Sequence, residues 1–121
     1  MAALTFASTD AEPAGVETRP RVSHEGGRTI VWLDGEHDIA TVSRLAGNLA
    51  TAIASDDTDL VVDMSGVEFI GAASISVMLR GQILLHARSR ELTVRDPSRC
   101  ARRVIDICGL EGLIDPTGPA A

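Results

Sequence analysis

Two groups of carboxylates stand out among the 17 acidic residues of this chain. Asp34, Glu36 and Asp38 alternate near the end of an apolar segment, and three more aspartates occupy positions 56, 57 and 59, just before another. Two carboxylates held close together can share general acid and general base roles. Solvated loops explain both groups more simply, although the first group also suits a binding face because a strand there leads into a helix.

Motifs for the common enzyme sites are absent from the sequence. It contains no GxxxxGK[ST], GxGxxG, HExxH or GxSxG pattern, which are typical of phosphate, dinucleotide, zinc and nucleophilic-serine chemistry. His24, His37 and His86 fall on different predicted elements without ligand spacing. We therefore expect no metal site, no cofactor and no enzymatic activity.

The two cysteines, Cys100 and Cys108, are predicted to lie in one helix. Eight residues at about 1.5 Å each place them roughly 12 Å apart, which is too far for a disulfide. Buried free thiols are the preferred interpretation, and a redox sensor or an intermolecular bridge is the alternative.

Composition limits the classes of partner. The 121 residues fit one domain, and the net charge of −6 disfavours direct binding to nucleic acid or to an anionic membrane. With one Trp, two Phe and no Tyr, the chain also lacks the stacking surfaces of single-strand binders. No signal peptide or membrane-spanning run is evident, so a cytoplasmic protein is expected. Residues 1–20 are predicted to be a disordered lead, and residues 116–121 a flexible tail.

The first half of the ordered chain predicts a hairpin, a helix and a buried strand. The β-rich segments RVSHE and TIVWLDGEHD are joined by Gly26 and Gly27, which indicates a hairpin. A helix follows from Thr41, capped by Asp38 or Thr41, with one apolar face formed by Val42, Leu45, Leu49 and Ile53. The continuous apolar run in DLVVDM, residues 59–64, is typical of a central parallel strand.

The second half predicts a helix from Gly71 to about Arg88, a strand at 91–96 and a third helix capped by Ser98 and terminated by Gly109. In the third helix the expected buried side comprises Ala101, Val104, Ile105 and Cys108. The segment GLIDP is expected either to add a short strand or to tuck under the sheet. The alternation predicts a single α/β domain with a mixed four- to five-stranded sheet and helices mainly on one face.

The second helix has an unusual start and an unusual apolar pattern. Its first residues, Gly71, Ala72 and Ala73, offer no side-chain oxygen to cap the free backbone N–H groups. Helical spacing directs one set of residues toward the sheet: Ala72, Ile75, Leu79 and Ile83. Val77 with Leu84, beside Arg80 and Arg88, forms a second apolar line, and Met78 with Leu85 forms a third. A helix that is apolar on several sides must be deeply covered or must contact a partner.

These segments resemble one known family. LDGEHDIATVSRLAGNL, VVDMSGVEFIGAASISVMLRG and PSRCARRVIDICGLEGLI are similar to the STAS domain of bacterial anti-sigma factor antagonists and of sulfate transporter tails. The resemblance covers about residues 21–115. Its most specific parts are Asp63-Met64-Ser65, Val67, Phe69-Ile70 and Gly109-Leu110, which occur in the family's order and spacing.

The resemblance implies a regulatory exchange of partners. Antagonists of this family bind an anti-sigma factor that is also a serine kinase, and phosphorylation of a Ser at the start of the second helix ends the interaction. The family pattern Asp-Ser-Ser/Ala-Gly aligns with Gly71 to Ser74, so Gly71 replaces the Asp and Ala72 replaces the phosphoacceptor Ser. Ser74 and Ser76 are the remaining candidate acceptors. In the purely structural interpretation, Gly71 caps the helix and the two alanines simply favour it.

The resemblance therefore suggests an anti-sigma factor antagonist without phosphate control, acting as a monomer or weak dimer. The expected partner-binding residues are Asp38, Gly71, Ala72, Ala73, Ser74, Val77 and Arg80. The alternative is an accessory subunit of a transporter or of a multi-protein signalling complex. A sensor of a nucleotide or lipid is a third, weaker hypothesis.

Overall fold

The structure, a computed structural model, describes residues 21–55 and 57–114. The predicted disordered lead and flexible tail lie outside these residues, as does Asp56. The elements follow in the order β1 (Arg21–Glu25), β2 (Arg28–His37), α1 (Val42–Ser55), β3 (Asp59–Ile70), α2 (Ala72–His86), β4 (Leu92–Arg95), α3 (Arg99–Ile107) and a short 3-10 helix (Glu111–Leu113). The mixed α/β architecture expected from the sequence is confirmed.

The sheet has the strand order β1-β2-β3-β4. β1 and β2 are antiparallel and are joined by Gly26 and Gly27 at φ angles of +57° and +78°, the left-handed region that glycine enters without a Cβ clash. β2, β3 and β4 are mutually parallel. Ile114 adds a single parallel bridge to Val94, and Gly112 and Leu113 belong to the short 3-10 helix, so the described residues of GLIDP, 112–114, form no full fifth strand.

The core lies between one face of the sheet and the three helices. Val31, Val62 and Val94 are register neighbours across β2, β3 and β4, and all three are buried. The helices pack onto this row within one apolar cluster that includes Leu45, Leu49 and Ile53 from α1, Ile75, Met78 and Leu85 from α2, and Ala101 and Ile105 from α3. Burial of these side chains is the main stabilising contribution to the fold.

Helix α2 turns a different face to the core than its spacing predicts. The buried residues are Ser74, Ile75, Met78, Gly81 and Leu85. Of the expected face only Ile75 is buried, since Ala72 is exposed, Leu79 is half-buried and Ile83 is 61% exposed. Gly81 lies on the buried side, where a Cβ would be 3.0 Å from Leu92 Cδ1, so glycine lets this side approach the sheet closely.

Helix α3 begins as expected and ends earlier. The Ser98 side chain accepts a hydrogen bond from the Ala101 N–H at 3.2 Å, and Gly109 has a φ of +73°, so the predicted cap and terminator are confirmed. Because the helix ends at Ile107, Cys108 sits at its C-cap and is exposed, and Cys100 is only half-buried. The expectation of two buried thiols is wrong.

Strands β2 and β3 extend past their neighbours. β1 pairs only as far as Trp32 and β4 only as far as Asp63, whereas β2 and β3 stay paired to His37 and Ile70. β3 therefore reaches six residues beyond the predicted end at Met64. This two-stranded extension, residues 34–37 and 66–70, leads directly to the start of α2. No helix in the described part of the chain has the length and apolar run that crossing a membrane requires.

Ser89, just after α2, occupies a left-handed conformation with a φ of +59°. The turn directs Arg90 inward, where its guanidinium donates to the carbonyls of Thr58 and Ile53 at 2.9 and 3.3 Å. A side chain is strained in this region and glycine is not. Ser89→Gly is therefore expected to raise the free energy of unfolding by about 0.5–1 kcal/mol, measured by urea denaturation.

The matched control is Ser43→Gly, at an exposed position within α1. There glycine weakens a helix, so a loss of about 0.5 kcal/mol is expected. A loss of stability in Ser89→Gly would contradict the strain argument.

Candidate partner-binding surface

The candidate surface lies where β2 and β3 end and α2 begins. Two hydrogen bonds join these segments at the His37 carbonyl: the Gly71 N–H donates to it at 2.9 Å and the Ser74 hydroxyl at 3.3 Å. The segment after β2 is thereby held beside the first turn of α2. The close placement of Asp38 and residues 71–73 follows from this junction.

The start of α2 has no side-chain cap, as its sequence suggests. Gly71 is the N-cap residue with φ −93° and ψ 166°, an extended conformation open to any residue. A Cβ there would lie 3.9 Å from both the His37 carbonyl and Phe69 Cε2, an ordinary contact distance. Neither the backbone nor the available space requires glycine, so this position could accept the usual Asp or Ser.

Exposure along α2 follows one stripe. Ala72, Ser76 and Arg80 are exposed and lie one turn apart, and the same side continues to Ile83 and Leu84. Gly71, Ala73 and Val77 are half-buried at the border of this stripe, and Val77 also packs against the core. Arg80 and Val77 therefore lie one to two turns away from the strand ends.

Ser74 does not belong to the exposed surface. Its side chain is fully buried, and its hydroxyl donates to the His37 carbonyl. A buried, hydrogen-bonded hydroxyl can neither contact a partner nor reach a kinase in this conformation. This burial disfavours Ser74 as a partner-binding residue or phosphoacceptor, and its hydrogen bond anchors α2 to the end of β2.

Asp38 organises the segment between β2 and α1. Its side chain accepts a hydrogen bond from the Ala40 N–H at 3.0 Å, and its backbone N–H donates to the Thr41 hydroxyl at 3.1 Å. Thr41 in turn donates to the Asp38 carbonyl at 3.2 Å. Both residues named as possible caps therefore take part in this turn, which fixes the direction of the intervening Ile39.

Two large apolar side chains on this surface were not identified from the sequence. Ile39 is 75% exposed and Phe69 is 47% exposed. Phe69 lies beside Gly71, and the β-register places it next to Glu36. The sequence did contain a signal for them. Ile39 does not fit the helical spacing of the buried residues in α1, and Phe69 does not fit the continuous apolar run of β3. Ile39, Phe69, Ala72 and Ala73 each lie within two residues of the hydrogen-bonded pair His37 and Gly71, and these four residues are here called the tip patch.

The Asp63-Met64-Ser65 motif lies next to the tip but has a structural role. The Asp63 side chain, 3% exposed, accepts hydrogen bonds from the Ser65 N–H and hydroxyl at 2.9 and 2.7 Å and from Arg95 Nε at 2.9 Å. Burial alone would raise the pKa of this carboxyl, but the bonds from Ser65 and Arg95 outweigh it and the pKa lies below its ordinary value.

Arg95 connects all four strands. It belongs to β4, pairs with Asp63 of β3, stacks over the Trp32 ring of β2 at 4.9 Å and lies 3.7 Å from Glu25 of β1. The hydrogen bond with Asp63 raises the pKa of Arg95, so its charge is permanent. Across residues 21–55 and 57–114, no three His, Cys, Asp or Glu side chains are arranged to hold a metal ion.

A family model described as "Mlab, STAS domain" matches residues 21–115, well over half of the chain. This chain belongs to the STAS family. Among curated proteins it is similar to the anti-sigma-F factor antagonist RsfB of Mycobacterium tuberculosis, with 27% identity over 90 residues that cover 74% of this chain and 73% of RsfB. The resemblance inferred from the sequence motifs is confirmed.

Solved structures agree with the STAS assignment. An anti-sigma factor antagonist from Mycobacterium paratuberculosis has a TM-score of 0.70 at 26% identity, covering 88% of this chain and 90% of that one. SpoIIAA in its unphosphorylated form has a TM-score of 0.69 at 18% identity, covering 80% and 86%. The second likeness shows the fold alone. RsfB and the Mycobacterium paratuberculosis protein are both described as anti-sigma factor antagonists.

Proposed function

We propose that this STAS protein binds an anti-sigma factor through the tip patch and so releases a sigma factor. The observation that carries the proposal is the exposure of the apolar residues Ile39, Phe69 and Ala72 near the start of α2, where the family resemblance implies a partner face. The names of the relatives support the class of partner. The exchange takes place in the cytoplasm, with the antagonist as a monomer or weak dimer.

The chemistry of the tip patch suits a protein partner. Interfaces derive most of their binding energy from a few apolar anchors that become fully desolvated, and aromatic residues are prominent among them. Phe69 and Ile39 are the two large anchors available here, and the small Ala72 and Ala73 allow a partner to approach the helix start. Truncation of either anchor to alanine is expected to cost about 1–2 kcal/mol of binding free energy.

The second part of the proposal is that binding escapes phosphate control. Ala72 has no hydroxyl, Ser74 is buried, and Ser76 is exposed one turn inside the helix. A phosphate carries a charge of nearly −2, which disrupts an apolar contact. Without an acceptor at Ala72, an anti-sigma factor with serine kinase activity has no means of ending the interaction at this position.

Restoring the acceptor tests this part of the proposal. With a cognate anti-sigma kinase and ATP, the wild-type complex is expected to persist without phosphate incorporation. Ala72→Ser is expected to become phosphorylated and to lose most of its binding within the reaction. The measurement is size-exclusion chromatography combined with intact-mass spectrometry, with ADP in place of ATP as the control. Phosphate on wild-type residues 71–76 would refute phosphate-independent binding.

A second candidate function is an accessory subunit of a transporter or of a multi-protein signalling complex. It is favoured by the apolar pair Ile83 and Leu84, 61% and 55% exposed, which lies along α2 away from the strand ends. Such an assembly would hold the protein through this helix. Ile83→Glu would then release it from the assembly, whereas Phe69→Ala would not; an anti-sigma factor complex should show the opposite pattern.

A further inference from the structure

Three exposed acids lie on the strand pair that leads to the tip patch. Asp34 and Glu36 lie on β2 and Glu68 on β3, all within the two-stranded extension. The β-register places Glu36 beside Phe69 and Asp34 beside Gly66. A Cβ at position 66 would collide with the Asp34 carboxylate. Glycine at position 66 therefore leaves room for the Asp34 carboxylate over the strand pair.

These carboxylates remain uncompensated in the described part of the chain. The ion pairs there involve other acids: Glu25, Asp63, Glu91 and Asp106. An unpaired carboxylate beside an apolar surface attracts cationic side chains and repels anionic ones. A second copy of this chain would bring the same acids face to face, so the charge disfavours self-association through this surface.

We propose that the tip patch accepts a basic partner surface, in which Arg or Lys side chains contact Asp34, Glu36 and Glu68 while apolar groups cover Ile39 and Phe69. This inference extends the proposed function, on which it rests for its biological partner, by specifying that partner's chemistry. The acids supply steering and register, since rim charges chiefly affect association rates, and the apolar centre supplies most of the affinity.

The acidic group at the other end of β3 provides an internal comparison. Asp57 and Asp59 are exposed, and Asp59 already accepts a hydrogen bond from the Glu91 N–H at 2.9 Å. None of the large exposed apolar side chains belongs to this segment. If acidic residues alone attracted a basic ligand, both ends of β3 would bind it. If the apolar residues are also required, only the tip patch binds it.

The test uses a ¹⁵N-labelled full chain and two amphipathic peptides, one of Lys and Leu and one of Glu and Leu. The Lys/Leu peptide is expected to shift amide resonances at 34–39 and 66–73, with affinity falling at least about fivefold as salt rises from roughly 50 to 200 mM, because screening lengths shorten. The Glu/Leu peptide is expected to produce no localised shifts. Equal shifts at 57–59, or equal responses to both peptides, would overturn the inference.

Variants separate charge from apolar contact. The triple change Asp34→Asn, Glu36→Gln and Glu68→Gln is expected to weaken binding of the Lys/Leu peptide at least fivefold. Phe69→Ala is expected to weaken binding by a similar factor. A control triple, Asp57→Asn, Glu91→Gln and Asp106→Asn, alters net charge equally and should retain affinity within twofold. The spectra themselves report whether each variant is folded. Equal losses in both triples would refute the inference. Failure to bind an anti-sigma factor bears on the proposed function instead, so the two failures are distinguishable.

Discussion

Replacing Ala72 with glutamate is expected to weaken the complex with an anti-sigma factor at least about 100-fold, or roughly 2.7 kcal/mol. The residue is exposed at the first position of α2, beside Phe69 and Gly71, so a carboxylate there enters the centre of the tip patch. An interfacial charge without a partner must be desolvated, which costs several kcal/mol. Isothermal titration calorimetry against the anti-sigma factor measures the loss.

The fold itself should tolerate this change. A negative side chain in the first turn of a helix interacts favourably with the helix dipole, so stability is expected to be unchanged or slightly higher. Ala50→Glu is the matched control, since it introduces the same charge at an exposed position in the middle of α1. It should bind within about twofold of wild type. If Ala72→Glu binds as tightly as Ala50→Glu, the partner does not contact the helix start.

Local sequence signals predicted most of the fold because local chemistry fixes those features. Gly26-Gly27 matches the left-handed turn that the hairpin requires, Ser98 bonds the first turn of α3, and Leu45, Leu49 and Ile53 share a face at helical spacing. The orientation of α2 could not be obtained in this way. The helix is apolar on several sides, so its periodicity does not single out one face, and the buried side is the one on which Gly81 lies against Leu92.

Only part of the candidate site could be predicted from the sequence, because its other features depend on tertiary contacts. The position and bareness of the helix start follow from Gly71, Ala72 and Ala73 themselves, and the family pattern drew attention to them. The burial of Ser74 could not be read from local sequence, because its hydroxyl bonds the His37 carbonyl, 37 residues earlier in the chain. The exposure of Ile39 and Phe69 depends likewise on how far β2 and β3 extend past β1 and β4, which is a property of the assembled sheet.

The Asp63-Met64-Ser65 part of the family motif lies outside the surface that is proposed to bind the partner. Asp63 is buried and satisfied, so we expect its replacement to act on stability. Asp63→Asn is expected to lower the free energy of unfolding at pH 7 by about 2–4 kcal/mol, because it leaves the mostly buried Arg95 facing an amide instead of a carboxylate. The measurement is urea denaturation, and Glu25, 3.7 Å from Arg95, limits the loss.

The lowered pKa of Asp63 also predicts how the effect of Asp63→Asn on stability changes with pH. Because the folded pKa of Asp63 is lowered, the stability it contributes is fully present above the unfolded value of about 4 and is lost as the pH falls through the folded value. The difference in the free energy of unfolding between wild type and Asp63→Asn should therefore narrow as the pH falls below about 4. Asp106→Asn is the control, since its exposed pair with Arg102 is worth no more than about 0.5 kcal/mol. If the difference in the free energy of unfolding stays constant with pH, the ionised carboxylate of Asp63 is not what stabilises its pair with Arg95.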